Sequence, residues 1–150
     1  MRKFEFVSYA DFENKTLIKP KRATKGSAGY DFFSPVDKEI LPGKNFVVIT
    51  DIKVSLEEDE VLQIYPRSSY GYNKGMTLAN TVGIIDSDYY NNSNNEGNIS
   101  IKVINEHGKV PLRLKAGEAF AQGIFMKYLI TDDDDTVEER VGGVGSTTKR

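Results

Sequence analysis

The dominant hydrophobic period along the chain is two. Phe4 and Phe6 alternate with Lys3 and Glu5, and Ile52, Val54 and Leu56 alternate with Lys53 and Ser55. Ile99, Ile101 and Val103 alternate with Ser100 and Lys102. Phe120, Ile124, Met126, Tyr128 and Ile130 fall on one parity of a long run. Such alternation predicts half-buried strands. Turn signals separate them: Pro42-Gly43, the Lys115-Ala116-Gly117-Glu118 corner, Pro111 and the glycines near Gly71. Short strands at this spacing predict an all-β sandwich or barrel. A short helix from Ser69 to Lys74 is expected after Arg67, weakened by Gly71. Asn91-Asn92-Ser93-Asn94-Asn95-Glu96-Gly97 is polar and turn-forming, so it reads as a loop.

A length of 150 residues predicts one domain with a core of its own. The tail changes that picture at one end. From Thr131 the chain carries four consecutive aspartates, Asp132 to Asp135, and then a glycine-rich end. Like charges extend a chain. The expected organisation is therefore a β domain over 1–130 and a flexible arm over 131–150. A net charge of −2 and a pI near 5.5 argue against general nucleic-acid binding, which needs a basic face. No cysteine is present, so disulfides and thiolate metal sites are excluded. The single His107 lies in a turn-like segment and cannot build a histidine zinc site. The first residues are charged and lack a signal-peptide apolar run, and nothing approaches a membrane span. A soluble, cytoplasmic protein with no membrane partner is expected.

The chemistry concentrates between Pro66 and Tyr89. Arg67-Ser68-Ser69 sets a cation beside two hydroxyls. Arg offers a planar fork of donors that fits phosphate oxygens, and hydroxyls with loop amides can complete such a site. Asp86-Ser87-Asp88-Tyr89 closes the stretch with two carboxylates and an aromatic ring. Phosphate-gripping groups at one end and metal or base carboxylates at the other suggest phosphate-ester chemistry.

Pro66-Arg67-Ser68-Ser69 and the run from Leu78 to Tyr89 resemble the second and third motifs of the trimeric dUTPase family. Ala28-Gly29-Tyr30-Asp31 resembles the first motif, Gly117 to Phe125 the fourth, and Arg140 to Thr147 the glycine-rich fifth. These ordered matches span Ala28 to Thr147. The resemblance implies a jelly-roll-like β fold, a homotrimer with shared active sites, and Mg²⁺-dependent hydrolysis of dUTP to dUMP and pyrophosphate by water attack on the α-phosphorus. It implies Asp86 as general base. Arg67 and Ser68 hold the triphosphate, with Ser69 standing where many members have glycine. Asn80 and the backbone from Gly83 through Ile85 to Tyr89 read uracil, and Tyr89 packs under the deoxyribose. Asp31 lies under the sugar, and Asp31 and Gln122 hold waters of a Mg²⁺ that is carried by the phosphates rather than ligated directly. Arg140, Val144, Gly145, Ser146 and Thr147 form the arm over the substrate.

The physics suits uracil. A backbone carbonyl accepts from N3–H and amides donate to O2 and O4, whereas cytosine leaves buried groups unpaired. Two departures stand out: Ala121 precedes Gln122 where the family usually has Arg, and Val144 replaces the arm's usual Phe. Alternative readings are a dCTP deaminase-like enzyme, whose base is a Glu in a different third motif, and a nucleotide-sensing regulatory protein using the same pocket.

Overall fold

The computed structural model describes residues 1–145. Twelve strands and one short α-helix are formed among them. In chain order the first strands are β1 (Lys3–Phe6), β2 (Lys21–Arg22), β3 (Tyr30–Phe33), β4 (Lys38–Ile40), β5 (Asn45–Ile49), β6 (Ile52–Ser55) and β7 (Glu60–Pro66). Helix α1 (Ser68–Lys74) follows, then β8 (Met76–Leu78), β9 (Gly83–Asp86), a 3₁₀ turn (Ser87–Tyr89), β10 (Ser100–Asn105), β11 (Leu112–Leu114) and β12 (Ala119–Lys127). The fold is all-β and jelly-roll-like. Its largest sheet runs β2-β3-β12-β7-β9, and a second runs β5-β10-β8. β1 pairs with β6, and β4 with β11.

The core fills the space between these sheets. Phe32, Leu62, Ile64 and Phe120 from the large sheet meet Val48, Ile101, Val103 and Leu78 from the second. Burying each such side chain contributes roughly 1.5–3 kcal/mol before entropy is counted. The alternation expected at β1, β6 and β10 holds: Ile52, Val54, Ile101 and Val103 are buried, and Phe4 and Phe6 pack against the core edge.

The alternation expected of β12 does not hold. Its register against β3 shifts between Ala119 and Ala121, a bulge that puts an extra residue into the strand. Parity reverses there. Phe120 and Phe125 face the core, while Ile124 and Met126 fall on the outer face, and Tyr128 and Ile130 lie exposed beyond the strand's end. One inserted residue is enough to flip every following side chain.

Helix α1 begins one residue earlier than expected. Tyr70 anchors it, fully buried, with its hydroxyl donating to Glu118 Oε1 at 2.9 Å. Gly71 sits where a Cβ would stand 3.1 Å from Pro66 Cβ, so the helix can fold back tightly on the end of β7. Gly75 ends it in the left-handed region at φ 72. Residues 131–145 carry no strand or helix. Among the described residues no helix is long and apolar enough to cross a membrane.

Candidate active site

β9 is the last strand of the large sheet, so one of its edges is unpaired among the described residues. In an antiparallel strand alternate residues turn both backbone groups to the same side. The free edge of Gly83–Asp86 therefore offers donors and acceptors to whatever lies beside it. A cavity of about 500 Å³ lies there. Asn80, Gly83, Ile84, Ile85, Asp86 and Tyr89 line one side, and Ala79, Ser100, Ile101 and Lys102 another. Arg140, Val144 and Gly145 of the tail also line it.

The turn that feeds β9 is strained. Val82 N–H donates to Asn80 O at 2.7 Å, around Thr81 at φ 67. A bond spanning one residue at positive φ marks the rarer, strained γ-turn, and a β-branched residue there is an outlier. Gly83 follows, where a Cβ would stand 2.9 Å from Ile64 Cβ. The turn thus presses the start of β9 onto β7 and leaves Asn80 at the cavity rim.

Tyr89 is 7% exposed, yet it lines the cavity. Its hydroxyl donates to Asn98 O at 2.8 Å and accepts from Asn95 Nδ2 at 2.9 Å. Burial pushes the phenol pKa up. The ring is thus both a packed aromatic and a wall of the cavity. The Arg140 guanidinium lies over it, 5.9 Å from the ring centroid. That Arg donates through Nη2 to Asp86 Oδ2 at 2.8 Å and through Nε to Asp88 Oδ1 at 2.7 Å.

The remaining expected residues form a second group. Asp31 on β3, Gln122 on β12 and Tyr65 on β7 share one row of the large sheet. Asp31 Oδ1 lies 3.7 Å from Arg67 Nε. Gln122 Nε2 donates to Pro66 O at 3.3 Å. Its Oε1 occupies the place beside Gly29, where a Cβ would come within 2.4 Å of it. Ser68 opens α1 on the surface, and Ser69 Oγ beside it is buried with no hydrogen-bond partner among the described residues.

Asp86 and Arg67 are not adjacent within one chain. Asp86 pairs with Val61, and Arg67 follows Val61 by six residues along and just past β7. At about 3.3 Å per residue that is about 20 Å. Arg140 lies with Asp86 and Asp88, not with Arg67 and Ser68. Ser146 and Thr147 lie outside the described residues.

Sequence reasoning missed the strained Thr81, the Asn95 and Asn98 supports of Tyr89, and the need for Gly29 beside Gln122. Only Asn-Thr-Val-Gly, a turn-rich tetrapeptide, carried a local signal for the first.

This geometry can be set beside known proteins. A family model described as dUTPase matches residues 15–148. The deoxyuridine 5'-triphosphate nucleotidohydrolase of Lactococcus lactis is 40% identical, covering 98% of this chain and 97% of that one. That of Corynebacterium glutamicum is 34% identical over 91% of each. The crystal structure of dUTPase from Streptococcus mutans superposes with a TM-score of 0.75 at 41% identity, covering 86% of this chain and 98% of that one. A variant dUTPase from phage phi11 of S. aureus, described with a coordinated structural Mg(II) ion, shares the fold at 22% identity and a TM-score of 0.70, over 93% of this chain and 97% of that one. Relatives named as nucleotidohydrolases do not favour the deaminase reading. Matched from Lys15 almost to its end, the chain belongs to the dUTPase family, the deoxyuridine 5'-triphosphate nucleotidohydrolases.

Proposed function

We propose that this hydrolase splits dUTP into dUMP and pyrophosphate at sites each completed by another copy of the chain in a homotrimer. The feature that carries the reading is the offset between Asp86 and Arg67, six residues or about 20 Å of extended strand along β7. A water attacking the α-phosphorus must touch its base, while the groups holding the phosphates must reach the same or the next phosphate. One chain alone does not bring them together. The outer face of the large sheet carries Ile84 and Met126 exposed, the kind of apolar surface that a second copy covers.

In this reading the free edge of β9 pairs with uracil, and Tyr89 packs under the deoxyribose. Asp86 orients the water and takes its proton as the new O–P bond forms. The bond from the α-phosphorus to the bridging oxygen breaks, and pyrophosphate leaves. Arg67 and Ser68 of another copy hold the phosphates, with Ser69 behind them. The arm, residues 131–150, closes the site through Arg140, Val144, Gly145, Ser146 and Thr147.

As metal ligands Asp31 and Gln122 offer oxygen, from adjacent strands, while Gln122 Nε2 is taken up by Pro66 O. That donor set fits Mg²⁺, a hard ion that keeps several of its waters and is held largely by phosphates. Mg²⁺ bound to the phosphates would neutralise charge developing on the leaving group. A cytoplasmic setting, where deoxynucleotides are made, belongs to the same proposal, with neither nucleic acid nor membrane as a partner.

Subunit mixing tests it. Asp86→Asn and Arg67→Ala chains, each nearly inactive alone, are dissociated, mixed and reassembled with dUTP and Mg²⁺. Shared sites restore a substantial fraction of wild-type pyrophosphate release. A mixture no better than its components overturns the shared-site reading.

A further inference from the structure

The asparagine-rich loop after Tyr89 is not a slack insertion. Asn92 Oδ1 accepts from Asn94 N at 3.0 Å and Asn95 N at 3.1 Å. Asn92 Nδ2 donates to Tyr89 O at 2.7 Å and to Asn95 Oδ1 at 2.9 Å. Asn95 Oδ1 also accepts from Gly97 N at 3.0 Å. Glu96 ties the loop to the rest of the domain, accepting from Ser8 N at 3.0 Å, from the Ser8 hydroxyl, and from Lys53 Nζ at 3.1 Å. Side chains that make several bonds each hold a fixed shape. The loop is therefore a rigid ledge.

The tail rests on that ledge. Ser93 Oγ donates to Val141 O at 2.9 Å. Two residues on, Gly143 packs so closely that a Cβ there would stand 3.1 Å from both Asn94 Nδ2 and Asn95 Nδ2. Arg140 precedes these contacts, over Tyr89, and Val144 and Gly145 follow them at the cavity. The ledge thus grips the segment between the arm's cation and the residues that cover the cavity.

We propose that Ser93, Asn94 and Asn95 are positioning residues, a dock that sets the register of the glycine-rich arm over the base cavity. The proposal rests on the reading that the arm closes the site. The same asparagine that meets Gly143 bonds the Tyr89 hydroxyl, so the wall of the cavity and the seat of the arm are one unit. Glycine at 143 matches a surface of two side-chain amides, where any side chain crowds them.

The test compares Ser93→Ala in two backgrounds, the full chain and a chain lacking Arg140 to Arg150, and adds Gly143→Val in the full chain. The full chain is also digested with trypsin, following cleavage after Arg140 by mass, with and without α,β-imido-dUTP. A dock predicts that Ser93→Ala raises KM about three- to tenfold with little change in kcat, the worth of one hydrogen bond. Gly143→Val should do more. Cleavage after Arg140 should speed up in both variants with the analogue bound. In the deletion background Ser93→Ala should change nothing, because its partner is gone. Equal losses in both backgrounds would reduce the loop to a support for Tyr89 and overturn the dock. Unchanged KM and unchanged cleavage in the full chain would overturn it as well. If the deletion itself leaves kcat/KM at the wild-type value, the closing-arm reading fails separately, and the trypsin result alone decides whether the ledge holds the tail.

Discussion

Arg140 and Asp86, 54 residues apart in sequence, form an ion pair with Nη2 2.8 Å from Oδ2. The same guanidinium reaches Asp88 Oδ1 through Nε at 2.7 Å. The tail's cation therefore lies on the carboxylate proposed as base, inside the cavity proposed for substrate. An incoming triphosphate offers Arg140 a stronger and better shaped partner. Substrate binding would then draw Arg140 away from Asp86 and free the carboxylate for water.

The paired contacts of Arg140 separate the two aspartates. Asp86→Asn should keep dUTP binding and lower kcat about 10²- to 10⁴-fold, the usual worth of general base catalysis. Asp88→Asn breaks an equally short contact with Arg140 but removes no base, so kcat should stay within a few-fold of wild type. Steady-state pyrophosphate release and equilibrium binding of α,β-imido-dUTP measure both. Near wild-type kcat in Asp86→Asn would take the base role from Asp86.

The strained turn gives a stability prediction. Thr81 sits at φ 67 at the centre of the γ-turn, where a sparsely populated backbone conformation costs an ordinary residue about 1–3 kcal/mol. Glycine removes that strain and returns about 0.5–1 kcal/mol of it as extra freedom in the unfolded chain. Thr81→Gly should therefore leave the urea midpoint unchanged or raise it slightly, while KM for dUTP rises because Asn80 loses its fixed place. A lower midpoint would mean that the Thr81 side chain contributes contacts that outweigh its strain.

Much of this was legible in the sequence, for physical reasons that also mark the limits. Ile52, Val54, Ile101 and Val103 alternate with polar neighbours because one face of each strand is wet, so the pattern survives in the letters alone. The bulge near Ala121 leaves no such trace: it is defined by the partner strand, and Phe120 and Ile124 appear to share a face until β3 is placed beside them. Arg67, Asn80, Asp86 and Gln122 were found through short ordered motifs. That Asn80 and Asp86 line one cavity while Arg67 and Gln122 lie elsewhere is a property of strand register, which those motifs do not encode. The asparagine loop read as polar and turn-forming. Its function as a ledge depends on Tyr89, Ser8 and Lys53, which no local window contains.

Glu96 gives the ledge a pH dependence. The Ser8 hydroxyl and amide, with Lys53, hold its carboxyl down from 4.5 to about 2. A carboxylate with a lowered folded-state pKa stabilises the fold above its unfolded value and loses that contribution as pH falls towards the folded one. The urea midpoint of wild type should therefore exceed that of Glu96→Gln by a constant amount above pH 4.5. The gap should shrink as pH drops from there towards 2. A gap that stays constant across this window would show that Glu96 acts through packing and not through its charge.

Val144 is where the arm departs from its family, and the structure gives that departure a place. Val144 lines the cavity but is 82% exposed, so it stands at the mouth with little of the described chain packed around it. A larger ring there has room and meets no core residue. Stacking of an aromatic ring on a base is worth roughly 1–3 kcal/mol in single-stranded nucleic-acid complexes. A ring that stays partly in water keeps only part of that. Val144→Phe should therefore improve kcat/KM for dUTP several-fold, mainly through KM. Deleting Arg140 to Arg150 removes the Arg140 contacts and the cover over the cavity together, and should cost far more than the substitution gains. Both variants and wild type are compared at one Mg²⁺ concentration. If the deletion matches wild type, the tail is a passive terminus. If the deletion is severe while Val144→Phe is inert or harmful, the arm matters but residue 144 does not lie over uracil, and the closed arm must present another residue to the base.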